Sequence, residues 1–160
     1  MKSPVEIGTK APDFVLPGTT QDSVKLSDQL GKGPVLLLFY PLDWSPVCTS
    51  EMCSIRDGFT EFERLGVTVL GISVDSIFSH KAFAEKLGIA FPLLSDFNKE
   101  VCTAYGVIHE EILGLRGIAK RSVFLLDGTG VVRYGWVSDD PGTMPDLADV
   151  KAACDRLKNQ

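Results

Sequence analysis

The chain has 160 residues, 44% of them apolar and 23% charged, which excludes disorder and coiled coil and permits one sizeable core. Sixteen Lys and Arg against twenty-one Asp and Glu give a net charge of −5, which argues against a nucleic-acid or anionic-membrane surface. Four cysteines are too few for a disulfide-stapled scaffold, yet enough for thiol chemistry.

The first eight residues hold one lysine and no apolar run behind it, so no secretory signal is read there. The longest apolar stretch, Pro34 to Leu42, falls far short of the ~20 residues that span a bilayer. The expectation is a soluble cytoplasmic protein with reduced thiols, forming a single domain over residues 1–160.

In chain order, Phe14-Val15-Leu16 and Val24-Lys25-Leu26 flank a polar turn and predict a short N-terminal hairpin. Residues 27–31 allow a single helical turn. The unbroken apolar run 35–40, ending at Pro41, predicts a strand buried on both faces. Met52, Ile55, Phe59, Phe62 and Leu65 recur at helical steps before Gly66, which predicts one long helix over 48–65.

A second buried strand is expected over 68–74. Phe78, Phe83 and Leu87 then suggest a helix that Gly88 ends. A short strand at 91–94 and a helix over 99–105 follow. Residues 122–126 form a third apolar strand, the turn Asp127-Gly128-Thr129-Gly130 returns the chain as a hairpin arm over 131–137, and a helix over 146–157 closes it. This order predicts an α/β fold: a mixed sheet flanked by helices, like thioredoxin-like folds, with an N-terminal hairpin extension.

Buried strand, abrupt loop and helix meet at Cys48. Free N–H groups and the positive end of the helix dipole favour a thiolate at a helix N-terminus, and the thiolate is the nucleophile. The alternative for a free cysteine is a small apolar core side chain. The loop before Cys48 carries Pro41, Trp44, Ser45 and Pro46. The prolines stiffen the backbone on either side of Ser45, whose hydroxyl can aim at the point where the sulfur sits.

Pro41-Leu42-Asp43-Trp44-Ser45-Pro46-Val47-Cys48 resembles the peroxiredoxin signature Pro-x-x-x-Thr/Ser-x-x-Cys. Ala11-Pro12-Asp13-Phe14, Gly71-Ile72-Ser73-Val74-Asp75, Leu94-Ser95-Asp96, Tyr105-Gly106-Val107 and the strand from Arg121 to Asp127 are similar to further segments of that family, in the right order. Serine at 45 departs from the commoner threonine and loses the methyl that fixes its rotamer.

The resemblance implies a thiol-dependent peroxidase without a bound cofactor or metal, acting on hydrogen peroxide and organic hydroperoxides. It implies Cys48 as the peroxidatic nucleophile and Arg121 as the guanidinium that stabilises the thiolate and the peroxide oxygens. Ser45 and the Cys48 N–H would hold the peroxide, and Pro41 would shield the sulfur from water. Glu51 has two readings, site support or a first-turn acid favoured by the helix dipole. Arg56 and Arg116 read as solvated or structural charges. Trp44, Phe39 and Tyr40 suggest an apolar pocket suited to organic hydroperoxides.

The spacing Cys48-x-x-x-x-Cys53 resembles the Q-type, or bacterioferritin-comigratory, peroxiredoxins. That likeness implies a Cys48–Cys53 disulfide, recycled by thioredoxin or a similar thiol reductant, in a monomer or homodimer. In a helix those Cα atoms lie roughly 8.7 Å apart, beyond the ~7 Å reach of a disulfide, so oxidation must unwind the first helical turns. Cys102 and Cys154 read as packing residues, with either a resolving thiol if Cys53 is not. Competing readings are a one-cysteine peroxidase resolved by an external thiol and a non-catalytic thiol-binding or chaperone module. The cysteines and the two histidines, His80 and His109, show no metal-ligand spacing, and a lone histidine reads as a surface or packed residue.

Overall fold

The computed structural model describes residues 2–159. A two-stranded antiparallel hairpin, β1 (Val15–Leu16) and β2 (Val24–Lys25), precedes the short helix α1 (Leu26–Leu30). Then come β3 (Val35–Phe39), α2 (Pro46–Asp57), α3 (Phe59–Arg64), β4 (Thr68–Ser73), α4 (Ile77–Leu87), β5 (Leu93–Ser95) and α5 (Glu100–Ala104). The chain ends with β6 (Ser122–Leu126), β7 (Val132–Val137) and α6 (Leu147–Lys158). Five strands form one sheet in the order β5-β4-β3-β6-β7. β3 pairs parallel with β4 and antiparallel with β6, so the sheet is mixed, as expected.

β3 and β6 sit inside the sheet and every residue of both is buried. This is why they read as continuous apolar runs rather than alternating ones. Alternation survives in which face each side chain serves. Val35, Leu37, Phe39, Phe124 and Leu126 pack with Val101, Cys102, Tyr105 and Leu26 in one core. Leu36, Leu38, Tyr40, Val123 and Leu125 pack with Cys48, Met52, Ile55, Phe62, Phe83, Val150 and Cys154 in the other. At ~25 cal/mol per Å² of apolar surface removed from water, these two cores supply the main driving force for folding. Among the described residues, no helix is long and apolar enough to cross a membrane.

The long helix expected over 48–65 is two helices. It starts two residues earlier, with Ser45 as N-cap and Pro46 in the first turn, and it breaks at Gly58 (φ −95°, ψ 5°). Glycine inside a helix costs about 1 kcal/mol relative to alanine. Here the Gly58 N–H still reaches the Ser54 carbonyl, while Glu61 restarts the ladder on the Gly58 carbonyl. Met52, Ile55 and Phe62 nevertheless face one core, so the apolar period was a sound guide to the buried face and not to continuity.

α4 forms where expected, but of the apolar residues that suggested it Phe78 is 80% exposed. The buried positions are His80, Phe83 and Ala84, an inward stripe at i, i+3 and i+4 into which the histidine enters instead of the phenylalanine. Gly88 does end this helix, in a left-handed conformation (φ 67°) that suits a residue without a Cβ.

Candidate active site

Cys48 lies in the first turn of α2 at the C-terminal edge of the sheet, where strand ends and helix starts leave backbone donors free. Its side chain is wholly buried. The Cys48 N–H donates to the Ser45 hydroxyl oxygen at 3.4 Å, and that hydroxyl donates to the Leu42 carbonyl at 3.3 Å. Ser45 thus caps the helix that carries the sulfur. Both bonds are long.

Arg121 stands at the first residue before β6, the strand next to β3, and antiparallel pairing brings Ser122 opposite Phe39. Its guanidinium is buried and donates from Nη2 to Cys48 Sγ at 3.1 Å. Nε and Nη2 also donate to the Pro141 carbonyl at 3.2 and 2.8 Å, and Nη1 to Glu51 Oε1 at 3.4 Å. A buried guanidinium needs its donors answered, and Pro141 answers two of them in a fork that fixes the plane of the group. The sequence held no sign of Pro141, because the loop that delivers its carbonyl follows β7, twenty residues on.

Glu51 sits one turn after Cys48 and is buried, which favours the site reading over a solvated first-turn acid. Loss of water pushes its carboxyl up to about 7, with Arg121 opposing the shift incompletely across the long 3.4 Å contact. Its second oxygen has no hydrogen-bond partner among the described residues.

Above these groups opens an apolar cavity of about 230 Å³. Pro41, Leu42, Ser45 and Val47 line it from one side and Leu113, Leu115 and Ile118 from the other, with Arg121 and Pro141 on the lining as well. Pro41 is buried. Phe39 and Tyr40 are not part of this lining. Both are fully buried, because strand alternation sends them into the two cores on opposite faces of the sheet. Trp44 is 52% exposed and packs edge-on against Phe83 with ring centroids 5.0 Å apart.

Cys53 follows in the same intact helix and is half-buried. Cys102 and Cys154 are buried in opposite cores. Burial, helped by the Asp96 carboxylate, pushes the Cys102 thiol well up, and burial raises Cys154 to about 11. Both are packing residues at neutral pH. Arg56 is structural, donating to the Leu87 carbonyl at 2.6 Å and pairing with Asp57.

One polar cluster went unseen in the sequence. Asp43, Asp75 and His80 bring ligand-type atoms within 4.8 Å of one another. Asp43 accepts from the Tyr40 hydroxyl, the Ser79 hydroxyl and His80 Nδ1, while His80 Nε2 is 2.9 Å from the Leu94 carbonyl. Its groups are engaged with one another rather than directed at an open coordination site. The signal available in the sequence was His80 itself, standing at the helical spacing of the buried positions 83 and 84.

Residues 7–135 match the AhpC/TSA family. Over 135 residues the chain is 42% identical to a Coxiella burnetii protein that carries the name peroxiredoxin bcp, covering 82% of this chain and 88% of that one. Among solved structures it is similar to Peroxidoxin BcpB from Mycobacterium tuberculosis (TM-score 0.84, 34% identity, 94% and 97% of the two chains). It is similar also to Peroxiredoxin Q from Xanthomonas campestris (TM-score 0.79, 33% identity, 91% of each chain). A thioredoxin-like sheet, a cysteine at a helix start and likenesses of this extent converge on one conclusion: the chain belongs to the AhpC/TSA family of peroxiredoxins, in keeping with its Q/BCP subgroup, and is a peroxidase.

Proposed function

We propose that Cys48 is the peroxidatic nucleophile and that this chain reduces hydrogen peroxide and organic hydroperoxides. The observation that carries the reading is the Arg121 Nη2 to Cys48 Sγ contact at 3.1 Å, made where a helix N-terminus also favours negative charge. The thiolate attacks the terminal peroxide oxygen and the O–O bond breaks. The sulfur becomes a sulfenic acid, and the departing alkoxide or hydroxide takes a proton from water. Arg121 donates to the charge that develops on the oxygens, and a guanidinium held by the Pro141 carbonyl need not reorganise to do so. The lining from Leu42, Val47, Leu113, Leu115 and Ile118 suits an alkyl substituent on the peroxide.

Cys53 is the proposed resolving thiol. Its thiolate attacks the Cys48 sulfenic sulfur, an S–S bond forms and water leaves. The two cysteines share one helix, so the first turns of α2 must open for the bridge to close. The long Ser45 cap bonds and the absence of an acid in the first turn make this end cheap to unwind. A dithiol reductant such as thioredoxin then restores both thiols.

Steady-state peroxide turnover with a thioredoxin system, together with disulfide mapping by mass spectrometry, tests the reading. Cys48→Ser should abolish peroxide consumption, which would otherwise reject Cys48 as nucleophile. Cys53→Ser should keep a single oxidation of Cys48 and lose thioredoxin-dependent turnover. Turnover that survives Cys53→Ser would assign resolution to an external thiol instead.

A further inference from the structure

The loop that carries Ser45 holds Trp44 in the left-handed region, at φ 72°. A bulky residue adopts that conformation only where its surroundings over-determine it. Its own ring is half outside, so the constraint must come from a neighbour, and the neighbour is Asp43. This side chain is buried. Its Oδ1 accepts from the Tyr40 hydroxyl at 2.7 Å, and its Oδ2 accepts from the Ser79 hydroxyl at 2.9 Å and meets His80 Nδ1 at 2.8 Å. Its own N–H donates to Asp75 Oδ2 at 2.8 Å.

The anchors are anchored in turn. The Ser73 hydroxyl donates to the same Asp75 oxygen, the Ser95 hydroxyl donates to the Asp75 carbonyl at 2.6 Å, and His80 Nε2 lies against the Leu94 carbonyl. Asp43 is therefore tied to the ends of β3, β4 and β5 and to the first turn of α4. None of these contacts touches Cys48 or Arg121. On either side of Asp43, however, stand the Leu42 carbonyl and the Ser45 hydroxyl, the two atoms that build the cap on the Cys48 N–H. The cap bonds are too long to hold the loop by themselves.

We infer that Asp43 is a positioning residue for the Cys48 centre: its carboxylate, gripped by Tyr40, Ser79 and His80, sets the loop so that Ser45 caps the sulfur-bearing helix. The inference rests on the reading of Cys48 as the nucleophile. The buried polar cluster is thereby a clamp on the catalytic loop rather than a separate site. Burial and the neighbouring Asp43 charge keep the Tyr40 hydroxyl protonated, and so able to donate, at any ordinary pH.

The test uses the full chain with Asp43→Ala, Asp43→Asn and Ser79→Ala, and Cys102→Ala in the opposite core as a control. Single-turnover oxidation by hydrogen peroxide is followed by trapping the Cys48 sulfenic acid. A pH titration of the ultraviolet thiolate absorbance is run beside it, and circular dichroism checks the fold. Asp43→Ala should slow oxidation roughly 10–100-fold, as a small displacement of a reacting centre does, and should displace the thiolate titration. Ser79→Ala, which removes one donor, should slow it about fivefold. Asp43→Asn keeps an acceptor for Tyr40 and should recover most of the loss, while Cys102→Ala leaves rate and titration unchanged.

A folded Asp43→Ala that reacts at the wild-type rate with an unmoved titration overturns the inference and leaves the peroxidase reading standing. So does an equal loss in Cys102→Ala, which would make the effect one of general destabilisation. If Asp43→Ala does not fold, Ser79→Ala decides: a wild-type rate there counts against the clamp. Wild-type protein that forms no sulfenic acid at Cys48 removes the nucleophile reading, and this inference with it.

Discussion

Two cysteines at helix starts, equally buried, have opposite electrostatic surroundings. Cys48 in α2 and Cys102 in α5 are both at 0% exposure, and each lies near a charged side chain. For Cys48 the neighbour is the Arg121 guanidinium. For Cys102 it is the Asp96 carboxylate, whose oxygens accept from the Val101 and Cys102 N–H groups. Those N–H groups are the donors that a thiolate at a helix start would need, and Asp96 already occupies them. The carboxylate adds its own repulsion, and the Cys102 thiol is pushed well up. Cys154, in mid-helix, rises to about 11 through burial with the Asp155 charge adding to it. Burial alone therefore does not distinguish the two sulfurs. The sign of the nearest charge does.

That comparison breaks most sharply at Arg121. Arg121→Gln leaves a donor but no charge, and should lower the rate constant of Cys48 oxidation by roughly 10²–10³-fold, the scale of losing one oriented donor to a developing oxyanion. Stopped-flow tryptophan fluorescence with hydrogen peroxide measures it, and a rate within a few-fold of wild type would remove the guanidinium from the explanation.

Glu51 offers the next effect. Its carboxyl titrates near 7 in the fold against an ordinary 4.5, so the folded state keeps this proton longer than the unfolded chain does. The stability it contributes is complete below about pH 4.5 and is lost as pH rises through 7. The loss amounts to about 3 kcal/mol. Denaturant unfolding of wild type and Glu51→Gln across that window should show the difference between them change by this amount, with the variant the flatter of the two. Parallel curves would mean that Glu51 is ionised throughout.

The smallest effects belong to the inert sulfurs. Cys102→Ala and Cys154→Ala should each cost about 1 kcal/mol of stability and leave peroxide consumption untouched. In native protein at neutral pH, iodoacetamide should leave both unlabelled. Asp96→Asn sharpens the contrast, since removal of the carboxylate charge should bring the Cys102 thiol down without making it a peroxidase centre.

Much of this was legible in the residues. The runs at 35–40 and 122–126 read as strands, and both are buried on both faces in the sheet, where a strand has no polar positions to alternate. The proline-braced loop before Cys48 marked a site, and Arg121 entered through the family likeness. Gly58 was passed over because the apolar period runs through it unchanged. His80 was passed over because one histidine on a helix carries no trace of the aspartate that will meet it from a loop thirty-seven residues earlier. Pro141 could not be read at all, since a backbone carbonyl has no residue type.

The sequence by itself determined the mixed α/β order, the buried strands and a cysteine at a helix start, since these depend on local periodicity and on spacing within one segment. Only the tertiary structure decided which side chains surround that cysteine. Arg121, Pro141 and the groups that grip Asp43 (Asp75, Ser79 and His80) reach the Cys48 loop and helix from separate segments of the chain. The charge and the clamp they provide exist only once sheet pairing has closed the distance.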